Sequence, residues 1–275
     1  WLIFFQEKGA FRLIQRLPVE TEMMLEMPEG PSKAIEYYSD IPLLFFGDVN
    51  GDGKTDISYY RPRTIVVFLQ KEGGTFGTDA GTSVTLAEKK RRRQYINIEF
   101  PPQIMDINGD GMLDVAMVTP SKGRATVSYA WKGKVDFSQP DVRNVNGWSA
   151  GIWIKDINGD GRKDLIASEI NKIGIVDGLK TFLSKKVDVH LVFFPMKENG
   201  RLSEEAVRRL TFTIPFVVQL AMDQGTLDLV FRPNFDGDYN GDGFRDLLVK
   251  IEEKQLDVYF GEKDGGVSTN IGLRI

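Results

Sequence analysis

The sequence predicts an all-β fold, a β-propeller of four-stranded blades. Three observations predict it: a nine-residue carboxylate loop occurs four times, its copies recur at about the length of one blade, and each is followed by a short apolar strand pattern. The loops read Asp-x-Asn-Gly-Asp-Gly-x-x-Asp and span residues 48–56, 106–114, 156–164 and 238–246. Their first residues, Asp48, Asp106, Asp156 and Asp238, lie 58, 50 and 82 residues apart, close to the period of a propeller blade with its connections.

The elements can be placed in order from this frame. Residues 1–40 have no loop ahead of them and read as a partial blade with strands at 2–6 and 11–16. Full blades are expected over 41–94, 95–148, 149–215 and 216–275. The first loop is followed by strand patterns at 57–61, 64–70 and 83–87, and the second by 115–119 and 125–131. After the third loop, Ile175, Leu179, Phe182 and Leu183 fall at the spacing of an amphipathic helix, so a short helical insertion is expected near 174–186, covering a blade edge. A strand at 187–194 should follow it, and the fourth loop precedes strands at 247–251, 256–260 and 268–273. The chain reads as one propeller domain over 1–275 or an arc of one, either a five-bladed ring or part of a larger propeller. A first residue of Trp in place of Met is expected of a processed or partly ordered chain, with something missing upstream.

Oxygen side chains at the first, third, fifth and ninth places of a tight turn are what a hard cation such as calcium needs, and the seventh place should contribute its carbonyl. The candidate ligands are Asp48, Asn50, Asp52, Lys54 and Asp56; Asp106, Asn108, Asp110, Met112 and Asp114; Asp156, Asn158, Asp160, Arg162 and Asp164; and Asp238, Asn240, Asp242, Phe244 and Asp246. A carbonyl ligand leaves its side chain free to vary, and Lys54, Met112, Arg162 and Phe244 share no chemistry. About four Ca²⁺ are expected on this reading, one per loop. The EF-hand loop opens the same way but needs a bidentate Glu at its twelfth place between two helices. Tyr59, Met117, Ala167 and Val249 stand there instead, and the flanks are apolar strands. One such loop alone could be an Asx-rich turn without metal; four copies weaken that reading.

On these loops the chain resembles the FG-GAP/VCBS class of β-propeller repeats, which includes integrin α-subunit heads and many secreted bacterial proteins. Phe46-Gly47 precedes the first loop with no Gly-Ala-Pro partner, so the bacterial VCBS form is the nearer one. The resemblance implies that each loop joins two neighbouring strands of a blade and binds calcium.

A chain of 275 residues, 41% of them hydrophobic, can bury a core along stacked repeats. With no Cys there are no disulfides, thiolate metal sites or Cys nucleophiles in this stretch. Extracellular-type calcium sites bind at roughly 10⁻⁴ to 10⁻³ M and stay mostly empty in resting cytosol, so a secreted, periplasmic or cell-surface location is expected. No apolar run is long enough for a membrane span. The formal charge of −4 is acidic, and nothing resembles a nucleic-acid-binding module.

Three other features have chemical potential. Lys89, Lys90, Arg91, Arg92 and Arg93 form a cationic run that could hold an anionic polymer, although a solvated inter-blade loop is the plainer reading. Trp148, beside Asn146-Gly147, is a candidate sugar-stacking platform, whereas Trp131, Trp153 and the Tyr59-Tyr60 pair fit blade packing better. His190, the one histidine, shares a strand face with Asp188 and lacks the supporting motifs of a Ser-His-Asp hydrolase. The expected function is a non-enzymatic, calcium-stabilised module that engages a protein or glycan partner at the cell surface. Two alternatives stand beside it: a lyase-like polysaccharide-active enzyme, or a permanent subunit of an envelope or extracellular complex.

Overall fold

In a computed structural model, residues 1–19, 22–26, 36–40, 42–61, 64–77, 82–85, 102–119, 123–131, 134–135, 137–145, 151–170, 186–215, 233–252 and 255–275 are described. Two hairpins open the chain: β1 (Leu2–Glu7) with β2 (Ala10–Arg16), and β3 (Glu22–Glu26) with β4 (Glu36–Asp40). Then comes the first four-stranded antiparallel sheet, β5 (Leu44–Gly47), β6 (Asp56–Arg61), β7 (Thr64–Phe68) and β8 (Thr82–Thr85), paired in chain order. The next contains β9 (Gln103–Met105), β10 (Asp114–Thr119), β11 (Arg124–Ser128) and β14 (Asp141–Asn144), while β12 (Ala130–Trp131) and β13 (Lys134–Val135) make a small ribbon of their own. The third is β15 (Ile152–Lys155), β16 (Asp164–Ile170), β17 (Lys186–Phe194) and β18 (Arg208–Pro215), and the last is β19 (Asn234–Gly237), β20 (Asp246–Glu252), β21 (Gln255–Tyr259) and β22 (Leu273–Arg274). Repeated meanders of this kind make the fold all-β and of the β-propeller class.

The chain divides into two compact units, residues 1–91 with 132–134, and residues 92–131 with 135–275. In the second unit the period-2 pattern of each strand supplies both faces of a stack. On β16, Leu165 and Ala167 point into a core shared with Ala116, Val127 and Ile154, whereas Ile166 and Ile170 point into a second core with Val189, Phe212 and Leu247. The third sheet is therefore buried on both faces, and β16 is buried along its whole length. Phe235 closes the second core against Phe193 and Trp153, with ring centroids 6.1 and 6.0 Å away. In the first unit a smaller core gathers Leu17, Ile57, Tyr59, Val66, Phe68 and Phe76, with Tyr59 stacked on Phe68 at 6.0 Å.

Differences from the sequence pattern have local causes. The predicted strand at 125–131 breaks at Tyr129, because the Ala130 N–H leaves the ladder to bond the buried Asp114 carboxylate at 2.8 Å. The strand expected at 64–70 ends at Phe68 for the same reason, with Gln70 N–H donating to Asp56 at 2.7 Å. At 268–273 only Leu273 pairs, since Val267 bridges back to Gly261 and the chain bends before reaching β22. No helix occurs among the described residues. The helical insertion expected near 174–186 lies outside them, apart from Lys186, which opens β17. No helix among them is long and apolar enough to cross a membrane.

Candidate functional site

All four carboxylate loops are described, and each joins the first and second strands of a four-stranded sheet. The turn is organised by its own side chains. In the first loop both oxygens of Asp48 accept main-chain N–H groups, from Gly51 and Gly53 at 2.7 Å each, and Asp52 Oδ1 caps the Lys54 N–H at 2.9 Å. The first-place carboxylate accepts the sixth-place glycine N–H in every copy: Gly111 to Asp106 at 3.0 Å, Gly161 to Asp156 at 2.9 Å and Gly243 to Asp238 at 2.9 Å. These Asx turns wind the backbone around the first carboxylate, which brings the oxygens of the first, third and fifth places onto one turn.

The ninth-place aspartates behave differently. Asp56, Asp114, Asp164 and Asp246 are all fully buried. One oxygen of each accepts the N–H of the loop's second residue, and the other accepts an N–H just beyond the third strand of the same sheet. For Asp164 the donors are Ile157 at 3.0 Å and Met196 at 2.9 Å; for Asp246 they are Tyr239 at 2.6 Å and Gly261 at 2.8 Å. This carboxylate thus pins the loop to the turn that leaves the third strand, at the same end of the sheet. Burial pushes the Asp164 carboxyl up to about 7, and Asp160 and Asp156 add to the rise, while the two main-chain donors oppose it. Burial likewise carries Asp114 up to about 6. A cation beside these groups would favour their ionised forms.

The oxygen donors of each loop, carboxylate, amide and carbonyl, are of the kind calcium takes. Among the described residues no three Asp, Glu, His or Cys side chains stand together as a metal cluster. An ion in these loops would depend on a mixed set: the carboxylates at places one and five, the Asn oxygen at place three, the carbonyl at place seven, and the buried ninth carboxylate behind them. The third-place Asn lies against the fifth-place Asp in all four copies, at 3.3, 3.0, 3.2 and 2.8 Å in chain order. The seventh-place side chains vary, as the sequence reading expects, but not all of them point away from the loop. In two loops they contact the fifth-place carboxylate: Lys54 Nζ reaches Asp52 at 3.2 Å and the Arg162 guanidinium reaches Asp160 at 2.7 Å.

In the second unit the loops also touch one another. Lys163 N–H donates to the Ile107 carbonyl and Arg245 N–H to the Ile157 carbonyl, each at 2.8 Å, so one loop's eighth residue bonds the preceding loop's second. The approach is close enough to require glycine. At Gly159, with φ of +70°, an added Cβ would stand 2.9 Å from the Gly243 carbonyl oxygen.

Of the remaining sequence candidates, Lys89 to Arg93 and Trp148 lie outside the described residues. His190 bonds Thr211 Oγ1 at 2.8 Å across the sheet, and burial, followed by the Arg209 charge, lowers its pKa. Trp153 packs against the second core, and Tyr59 is buried. Sequence reasoning missed a polar joint between sheets in the second unit. Asp141 on β14 accepts Tyr129 O–H at 2.7 Å, Leu202 N–H at 2.8 Å and Arg201 Nε–H at 3.1 Å. The buried Arg143 donates to the Leu202 and Ser203 carbonyls at 2.6 Å each. Burial and the bond to Asp141 push the Tyr129 phenol far above its ordinary range.

With this geometry established, comparison with known proteins places one segment. Residues 106–167 match the FG-GAP-like repeat family. The matched segment contains the second and third loops and, between them, β10, β11 and β14 of the second four-stranded sheet. No curated protein sequence matches the chain significantly. Among solved structures, a lectin of Agrocybe aegerita, described as recognising non-reducing terminal N-acetylglucosamine, is 20% identical with a TM-score of 0.47, over 85% of this chain and 51% of that one. A Bacteroides fragilis protein described as a candidate 6-phosphogluconolactonase is 16% identical with a TM-score of 0.47, over 100% of this chain and 64% of its own. A Lactobacillus plantarum protein is 11% identical with a TM-score of 0.42, over 99% and 64%. The chain spans about half to two-thirds of the length of these structures.

Proposed function

We propose that the chain is a calcium-stabilised propeller module that serves as a non-enzymatic adhesion, glycan-binding or scaffold unit in a secreted, periplasmic or cell-surface setting. The observation supporting this reading is the repetition, in all four loops, of one Asx-turn scaffold pinned by a fully buried ninth-place carboxylate. The first, third, fifth and ninth side chains and the seventh carbonyl would hold the ion, which would supply positive charge to acids that burial otherwise penalises. Its role is structural: it stiffens the turn between two strands so that neighbouring loops present a fixed surface to a protein or glycan partner.

The test is thermal unfolding of the chelated protein with calcium titrated back, beside a metal count. At calcium tenfold above the dissociation constant, each occupied site adds about 1.4 kcal/mol, so about four ions should raise Tm markedly. An unchanged Tm with no bound calcium sinks the proposal.

One observation favours a second reading, a subunit of a larger assembly. The β1–β2 hairpin leaves Leu2, Phe4 and Phe11, which share one face, at least half exposed, an apolar surface of the kind that marks an interaction site. Sedimentation of the purified chain would show association that weakens on changing Phe4 and Phe11 to Ser; a monomer at all concentrations would count against self-assembly.

A further inference from the structure

Among the places where the four loops differ, the seventh is the one whose side chain is seen to contact a loop carboxylate. Lys54 and Arg162, at the seventh place of the first and third loops, turn back onto the fifth-place carboxylate of their own loop. The second and fourth loops have Met112 and Phe244 there, which carry no charge. The same division shows in the neighbouring bond. The third-place Asn lies 3.3 and 3.2 Å from the fifth-place Asp in the two loops with a built-in cation, and 3.0 and 2.8 Å in the two without. The cation therefore shares the same Oδ2 atom that the Asn amide approaches.

Resting on the reading of the loops as calcium sites, we propose that the seventh-place side chain grades them, so that the loops of Met112 and Phe244 bind calcium tightly and those of Lys54 and Arg162 bind it weakly. A bound divalent ion and the seventh-place cation compete for one carboxylate oxygen, and the ion also feels the repulsion of the fixed positive charge. For a charge a few ångströms from the ion in a solvated turn, the penalty is about fivefold in affinity. Arg162 should matter more than Lys54. Its pair with Asp160 is closer, 2.7 against 3.2 Å, and less exposed, with both side chains at 26% compared with 38% and 33%.

Arg162 also lies beside the preceding loop, where a side chain added at Gly109 would meet the Arg162 stem at 3.4 Å. Methionine is the appropriate replacement, because it keeps the stem and removes the charge.

The experiment is isothermal titration of calcium into the full chain after chelation, for the unaltered protein, Arg162→Met and Met112→Arg. The expected result is two tighter and two weaker sites. Arg162→Met should strengthen one weak site about fivefold without changing the number of sites, and Met112→Arg should weaken one tight site by a similar factor. Four equivalent sites, or an Arg162→Met curve identical to that of the unaltered chain, overturns the grading and leaves the calcium reading intact. No heat and no bound metal overturns both.

Discussion

The two units carry the same loop on the same kind of sheet but secure it differently. In the second unit, the main-chain N–H groups of Lys163 and Arg245 each bond the loop before, and the donors to Asp164 are buried. In the first unit, the described bonds to the loop come from its own residues and Gln70, and the donors to Asp56, Val49 and Gln70, are only partly buried. The joints between successive strand groups differ in the same direction. The second unit uses the charged network of Asp141, Arg143 and Arg201 around Leu202, whereas the first uses one neutral amide, Gln15, whose Nε2 donates to the Phe76 carbonyl at 2.6 Å and whose Oε1 accepts the Phe76 N–H at 2.7 Å. The repeat thus specifies a loop and a sheet, and the strength with which each is held depends on what its neighbours contribute.

The largest expected effect separates the two units at the ninth place. Asp164→Ala leaves the N–H groups of Ile157 and Met196 buried without an acceptor, a loss of about 4 kcal/mol from two orphaned donors. Asp56→Ala exposes its donors to water, which replaces part of what is lost, so about 2 kcal/mol is expected. Urea unfolding followed by circular dichroism measures both, and equal losses would break the comparison.

Much of this was legible in the sequence, and what was not has a common cause. The nine-residue motif located all four loops and the apolar strands that follow them, whereas the short strands that precede them, β5, β9, β15 and β19, were not placed. The turn after the third strand also has a readable pattern, Lys71-Glu-Gly-Gly-Thr75, Lys197-Glu-Asn-Gly-Arg201 and Glu262-Lys-Asp-Gly-Gly266. In each, the first residue's N–H bonds the fifth carbonyl, at 2.7, 2.9 and 2.9 Å. The pinning of Asp56, Asp114, Asp164 and Asp246 was hidden because their distant partners, Gln70, Ala130, Met196 and Gly261, act through main-chain N–H groups and share no side-chain chemistry. Gln15 was hidden too: a neutral amide in a strand looks like any solvated polar residue until Phe76 is folded against it.

Arg143 gives the next effect. Arg143 is 7% exposed and its guanidinium bonds three carbonyls, those of Val142, Leu202 and Ser203, so Arg143→Ala should cost about 3 kcal/mol. Arg143→Lys should recover less than half of this, since an ammonium cannot reproduce the planar fork that spans Leu202 and Ser203. Full rescue by Lys would mean that charge alone holds the joint and that the geometry of the fork is incidental.

The smallest effect tests the neutral counterpart in the first unit. Gln15→Ala removes two bonds to a partly buried segment where water can reach the freed Phe76 groups, and should lower stability by about 1 kcal/mol. Gln15→Glu is the sharper variant. Its carboxylate can still accept the Phe76 N–H, but its second oxygen faces the Phe76 carbonyl with no proton between them, so at neutral pH it should be worse than Ala even though it is closer to Gln in shape. Urea midpoints order the three proteins, and hydrogen exchange at the Phe76 amide reports the joint directly. Faster exchange in both variants, with the Leu202 amide unchanged, would place the loss at this one joint. If Glu is tolerated as well as Gln, the Phe76 carbonyl finds another donor, and the two joints differ less than their residues suggest.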